Sequence, residues 1–315
     1  MSLLDVSGLT VAYASREGPI VAVKDANFRV ERGTTLGLVG ESGCGKSTLG
    51  KAILGILPER TKVEGTIMFA GVDLVTADVA TLQKYRGRNL SLVFQDPMTR
   101  LNPLLTIRGH FIELIRSHEP ETEAEEAEKR AREILAAVRI PPDRIKQYPH
   151  EFSGGMRQRI MIALALVFRP SLLIADEPTT SLDVIVEAQI LELLKSIKRE
   201  FDMGVLMITH NLGLVAEYAD EIAVMYAGHL VERGPVEDVF KAPHHPYTRG
   251  LLESVIDLDT TELRSIPGQP PDLLHPPTGC PFHPRCPSVM PQCSASFPPV
   301  TRPSEGREVA CFLFP

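Results

Sequence analysis

Eight residues constrain this chain more than any others: Gly40-Glu41-Ser42-Gly43-Cys44-Gly45-Lys46-Ser47. Their spacing fits G-x-x-x-x-G-K-[ST], a loop whose glycines let successive backbone N–H groups turn inward on a phosphate. The flanks agree. Thr34 to Val39 is a short apolar run suited to a buried strand and Ser47 to Leu54 has helical character, so the loop joins strand to helix. The helix N-terminus adds partial positive charge to the anion site. In such a loop Lys46 reaches the β- and γ-phosphates of a nucleotide, and the Ser47 hydroxyl ligates Mg²⁺.

A second apolar run, Ser171 to Ala175, ends in Asp176 and Glu177, as expected of a strand whose C-terminal edge faces a ligand. Asp176 is placed to hold Mg²⁺ and Glu177 to polarise an attacking water, with Pro178 marking the strand's end. Upstream stands Phe152-Ser153-Gly154-Gly155-Met156. Ser153 there can cap a helix running from Met156 to Phe168, leaving backbone N–H groups and its own hydroxyl to meet a phosphate.

With these segments in this order, the chain resembles the nucleotide-binding subunit of an ATP-binding cassette (ABC) transporter over about 250 residues. Phe152-Ser153-Gly154-Gly155-Met156 departs from the family's commonest form, Leu-Ser-Gly-Gly-Gln, at its first and last positions. The resemblance implies that ATP sits on Gly40, Ser42, Gly43, Cys44, Gly45, Lys46, Ser47 and Thr48 of one subunit. Ser153, Gly154 and Gly155 of a second subunit would close over its γ-phosphate, with Asp183 crossing the interface. It also implies that Gln95 touches the Mg²⁺ and water site, that His210 orients the catalytic water and Glu177, and that Tyr13 stacks on adenine. The expected fold is an α/β P-loop NTPase core with an antiparallel β subdomain and a helical insert. That nucleotide-binding domain spans 1–256, with its helical subdomain at about 96–155.

Composition narrows the class. A chain of 315 residues at 43% hydrophobic can bury a substantial core. A net charge of −7, from 33 basic and 40 acidic residues, argues against nucleic acid as principal partner. No apolar stretch approaches the ~20 residues needed to span hydrocarbon, and Met1-Ser2-Leu3-Leu4-Asp5 opens no signal segment. The expected location is therefore the cytoplasmic face of a membrane, reached through partners. Glu121 to Arg132 reads as a helix, with Glu125/Lys129, Glu126/Arg130 and Glu128/Arg132 at i,i+4.

Beyond Ile256 the character changes, since 13 of the 26 prolines fall in the last 59 residues and exclude long helices there. Four of the five cysteines also lie in this extension, 257–315: Cys280, Cys286, Cys293 and Cys311, spaced C-x5-C-x6-C-x17-C. Four thiolates suit either an iron–sulfur cluster or a tetrahedral zinc site, and spacing alone does not choose. His245-Pro246-Tyr247-Thr248 and Gly279-Cys280-Pro281-Phe282-His283-Pro284-Arg285-Cys286-Pro287 resemble the C-terminal extension of ATPases serving dipeptide and oligopeptide importers. That resemblance implies a [4Fe–4S] cluster on the four cysteines. It also implies a second ATPase subunit, a paralogue, together with two transmembrane permease subunits and an extracellular or periplasmic substrate-binding protein. Related importers carry nickel, glutathione or oligosaccharide. A soluble non-transport ABC ATPase is a more distant alternative.

Overall fold

In the computed structural model, which describes residues 2–93, 100–179, 182–254 and 265–314, the chain opens with strands β1 (Leu4–Ala14) and β2 (Pro19–Val30). Leu4, Val6, Leu9 and Val11 are buried, and a register shift between Val6 and Leu9 keeps both on the core face despite their odd spacing. Next come β3 (Thr35–Val39), α1 (Lys46–Ile53), β4 (Lys62–Phe69) and β5 (Val72–Asp73). Strands β2-β1-β4-β5 form an antiparallel sheet, the expected β subdomain. All five residues of β3 are buried, as its unbroken apolar run requires.

Two compact units divide the chain: Met1–Ala77 with Met207–Pro315, and Asp78–Leu206. The second contains α2 (Val79–Tyr85), β6 (Leu90–Val93), α3 (Ile107–His118), α4 (Ala124–Ala137), α5 (Gly154–Leu166), β7 (Leu172–Asp176), α6 (Val184–Phe201) and the start of β8 (Gly204–Ile208). Strands β6 and β7 pair in parallel. Helix α4 covers most of the charged segment read as helical. Its Glu126–Arg130 and Glu128–Arg132 pairs form at 3.2 and 2.8 Å, while Glu128 also takes Arg108 of α3. Ala127, Ala131, Ile134 and Leu135 fill the opposite, buried face.

After β8 the chain continues in the first unit with α7 (Leu212–Tyr218), β9 (Glu221–Tyr226), β10 (His229–Pro235), α8 (Val236–Lys241), α9 (Pro246–Glu253), α10 (Pro291–Ala295), β11 (Val300–Thr301) and β12 (Glu308–Ala310). Strand β9 runs parallel to β3 and antiparallel to β10. Ala227 and Gly228, both at positive φ, make the two-residue turn between β9 and β10. Strand β12 then pairs with β10, and β11 with β12. The Pro-rich stretch thus contributes strands to the same sheet as β3, and its Phe282, Cys280 and Cys293 join Val224, Tyr226 and Tyr247 in one core. Within the described residues no helix is long and apolar enough to cross a membrane.

Candidate active site

The turn between β3 and α1 is held against backbone, and this dictates its glycines. A Cβ on Gly40 would lie 2.1 Å from the Met225 carbonyl oxygen, and one on Gly45 would lie 2.1 Å from that of Ala22. Both positions also have positive φ, 153° and 110°. Inside the turn Lys46 is only 7% exposed. Its ammonium donates to Gly40 O at 2.7 Å, to Glu41 O at 3.0 Å and to Cys44 Sγ at 3.8 Å. These three acceptors match its three hydrogens. A phosphate oxygen at this point would exchange for one of them. Burial pushes the Cys44 thiol above its ordinary pKa, against the pull of Lys46, so this cysteine is a compact neutral filler. Ser47 and Thr48 lie in the first turn of α1, and Thr48 Oγ1 hydrogen-bonds Tyr13 OH at 3.0 Å. The strand tyrosine expected beside adenine is thereby brought to the loop's own helix.

Glu41 has supports that its position in the motif does not announce. Its N–H donates to Tyr247 OH at 2.9 Å, and its carboxylate takes both terminal nitrogens of Arg285, at 2.8 and 3.0 Å. Nothing local signals a contact between residues 244 apart. The only hint is that Tyr247 and Arg285 sit inside the two C-terminal segments quoted above.

In the second unit, β7 ends at Asp176 and the backbone turns at once, with Glu177 in the left-handed region at φ 48°. Pro178 follows, and its carbonyl accepts from the Gln158 side chain of α5. Ser153 is the N-cap of α5, its Oγ accepting from Met156 N at 3.4 Å, so the helix begins at Gly154 rather than at Met156. Asp183 caps α6 in the same way, accepting from Val186 N at 2.9 Å. The two caps are neighbours: a Cβ on Gly155 would come within 2.5 Å of Val186 Cγ1. Beside them Val184 and Ile185 are 79% and 72% exposed. His210 is exposed just past β8, in the first unit, ahead of the Asn211 cap of α7. Gln95 lies outside the described residues.

The four C-terminal cysteines converge. Cys280, Cys286, Cys293 and Cys311 all line one small cavity of about 20 Å³, together with His245 and Met290. All are free thiols. Burial, and then the closeness of the others, pushes the Cys280 thiol up to about 11 and raises Cys286 and Cys311 as well. Among the described residues no group of three or more His, Cys, Asp or Glu is arranged to hold a metal ion.

Two family models match, "ABC transporter" over residues 23–180 and "Oligopeptide/dipeptide transporter, C-terminal region" over 231–293. The chain is 48% identical to the oligopeptide transport ATP-binding protein OppD of Salmonella typhimurium, across 98% of this chain and 93% of that protein. It is 47% identical to the dipeptide transport ATP-binding protein DppD of Bacillus subtilis, across 99% and 94%. Among solved structures, the dimeric bacterial ABC transporter cassette MJ0796 superposes with a TM-score of 0.65 at 29% identity, covering 74% of this chain and 98% of that one. A sequence matched at 48% identity over nearly its whole length belongs to the ABC transporter family of ATP-binding proteins, in the group that carries the oligopeptide/dipeptide transporter C-terminal region.

Proposed function

We propose that the protein is the ATP-hydrolysing subunit of a membrane importer for di- and oligopeptides. The single observation that carries this reading is near-half identity, over almost the whole chain, to ATP-binding proteins of oligopeptide and dipeptide transport. The chain then works at the cytoplasmic side of a membrane through two permease subunits, a second ATPase subunit and a substrate-binding protein. Residues 1–256 supply the nucleotide-binding part and 257–315 the family-specific extension.

In the mechanism, Lys46 and the N–H groups of Gly43 to Ser47 hold the β- and γ-phosphates. The Ser47 hydroxyl and the Asp176 carboxylate are suitable oxygen donors for Mg²⁺, which when bound would supply charge neutralisation at the phosphate oxygens. Glu177 accepts a proton from the attacking water, which His210 and Gln95 orient. Ser153, Gly154 and Gly155 of a second subunit donate to the γ-phosphate from the opposite side, so ATP joins two subunits and its cleavage releases them. Two solved structures of the similar cassette, one of them with ADP and phosphate bound, are dimers, which favours that arrangement. Glu177→Gln should bind ATP, turn it over at least a hundredfold more slowly, and elute as a dimer on size exclusion. Hydrolysis near the wild-type rate would overturn the assignment of Glu177. Peptide-stimulated ATPase activity of the reconstituted importer separates peptide from nickel, glutathione and oligosaccharide as cargo.

The cysteine set is read as the holder of a [4Fe–4S] cluster on Cys280, Cys286, Cys293 and Cys311. Four thiols around one cavity support it, and tetrahedral zinc on the same four thiols is the alternative. Such a cluster would cross-link a proline-rich segment that has little apolar surface of its own. Anaerobic purification with absorption spectroscopy and metal analysis tests it; a colourless, iron-free protein would remove the cluster.

A further inference from the structure

Arg285 makes five hydrogen bonds with its five N–H groups. Nε donates to Pro267 O at 2.8 Å; one terminal nitrogen donates to Glu41 Oε2 at 2.8 Å and Tyr226 OH at 3.2 Å; the other donates to Glu41 Oε1 at 3.0 Å and Ile266 O at 3.2 Å. Its side chain is 6% exposed and lies beside the Tyr226 ring. No other residue type has five donors in one planar fork.

The partner of this fork is a residue of the phosphate loop, and that residue is fixed at every polar atom. Glu41 gives its carboxylate to Arg285, its N–H to Tyr247 OH, and its carbonyl to both the Lys46 ammonium and the Cys44 N–H. Arg285 is therefore one residue removed from the lysine that receives phosphate. On its other side, Arg285 ends the single helical turn His283–Arg285, which Cys280 and Cys286 bracket. His283 Nδ1 contacts Cys280 O at 2.9 Å, and Cys286 N donates to His283 O at 3.3 Å.

We propose that Arg285 is a positioning residue for nucleotide binding: through Glu41 it holds the start of the phosphate loop, and it makes the loop's geometry depend on the order of the cysteine-bearing segment. This rests on the reading of residues 40–47 as the nucleotide loop. Arg285 touches no nucleotide itself. Its effect belongs in affinity, because it fixes the backbone on which Lys46 is seated. Simple loss of folded protein would instead lower the number of active sites and leave their affinity unchanged.

The test is a double-mutant cycle on the full-length chain, with MgADP affinity read by titration calorimetry and folding checked by thermal melting. Arg285→Met and Glu41→Gln should each weaken MgADP at least tenfold, and together should do no worse than the poorer single variant, within twofold. Arg285→Lys, which keeps the charge and loses the fork, should fall between wild type and Arg285→Met, and it carries the test should Arg285→Met fail to fold. In the assembled importer the Arg285→Lys variant should raise KM for ATP with kcat held within twofold. Lys46→Ala serves as the control for the loop itself: unchanged MgADP affinity there would defeat the nucleotide reading, not the positioning role of Arg285. If Lys46→Ala loses binding while the Arg285 and Glu41 variants stay within twofold of wild type, or if their effects multiply independently, the proposal is overturned.

Discussion

At Gly45, φ of 110° and the Ala22 carbonyl 2.1 Å from the site of a Cβ act together, so a methyl group would meet fixed backbone rather than a side chain that can turn away. Gly45→Ala should therefore destabilise the fold by about 2 kcal/mol or more, seen as a lowered melting temperature without nucleotide. A variant as stable as wild type would show that the strand behind the loop gives way. His229 offers a pH handle. It stacks on Phe297 with ring centroids 4.3 Å apart, and burial, helped by the nearby Lys24 charge, lowers its pKa to about 4. Between pH 6.5 and about 4 the unfolded chain protonates this histidine and the folded chain does not, so acidification through that window favours unfolding. Above it the group adds no pH dependence. His229→Phe should flatten the fall of stability across that window, by at most about 3 kcal/mol. Parallel denaturation curves of wild type and variant at pH 7 and pH 4.5 measure the difference, and an unchanged slope would contradict it.

Among the elements, the starts of α5 and α6 form one structural joint. Ser153→Ala removes a cap worth about 1 kcal/mol, yet under the proposed mechanism it should cost hydrolysis on the order of a hundredfold. Comparing melting temperature with kcat separates a cap from a phosphate donor. Gly155→Ala should destabilise by about 1–3 kcal/mol through overpacking against Val186, and adding Val186→Ala should recover most of that loss. These elements were largely legible in the sequence. Unbroken apolar runs gave β3 and β7 to within one residue, because strands buried on both faces carry no other pattern. The start of α5 was displaced by two residues, since Ser153 caps through Met156 N and lets both glycines enter the helix. What stayed hidden was non-local or too short to have a period. Strands β11 and β12 have two and three residues. The bonds of Glu41 to Tyr247 and Arg285 join segments more than 200 residues apart. The left-handed turn at Glu177 follows no propensity, as Glu has no preference for positive φ.

For the molecule as a whole, residues 265–314 are woven into the first unit. Glu232 on β10 is 2% exposed and receives Arg307 at 2.6 Å, along with the backbone N–H groups of His244 and His245 at 2.9 Å each. Removing residues 257–315 would strip that carboxylate of its cation and of the strand paired beside it. The damage would not stop at stability. With β12 gone, a row of β10 amides and carbonyls would face solvent as a sticky margin, ready to stitch onto the same margin of another copy. A chain ending at residue 256 should accordingly collect in the insoluble fraction on expression, even though it retains residues 40–47 and helix α5 intact.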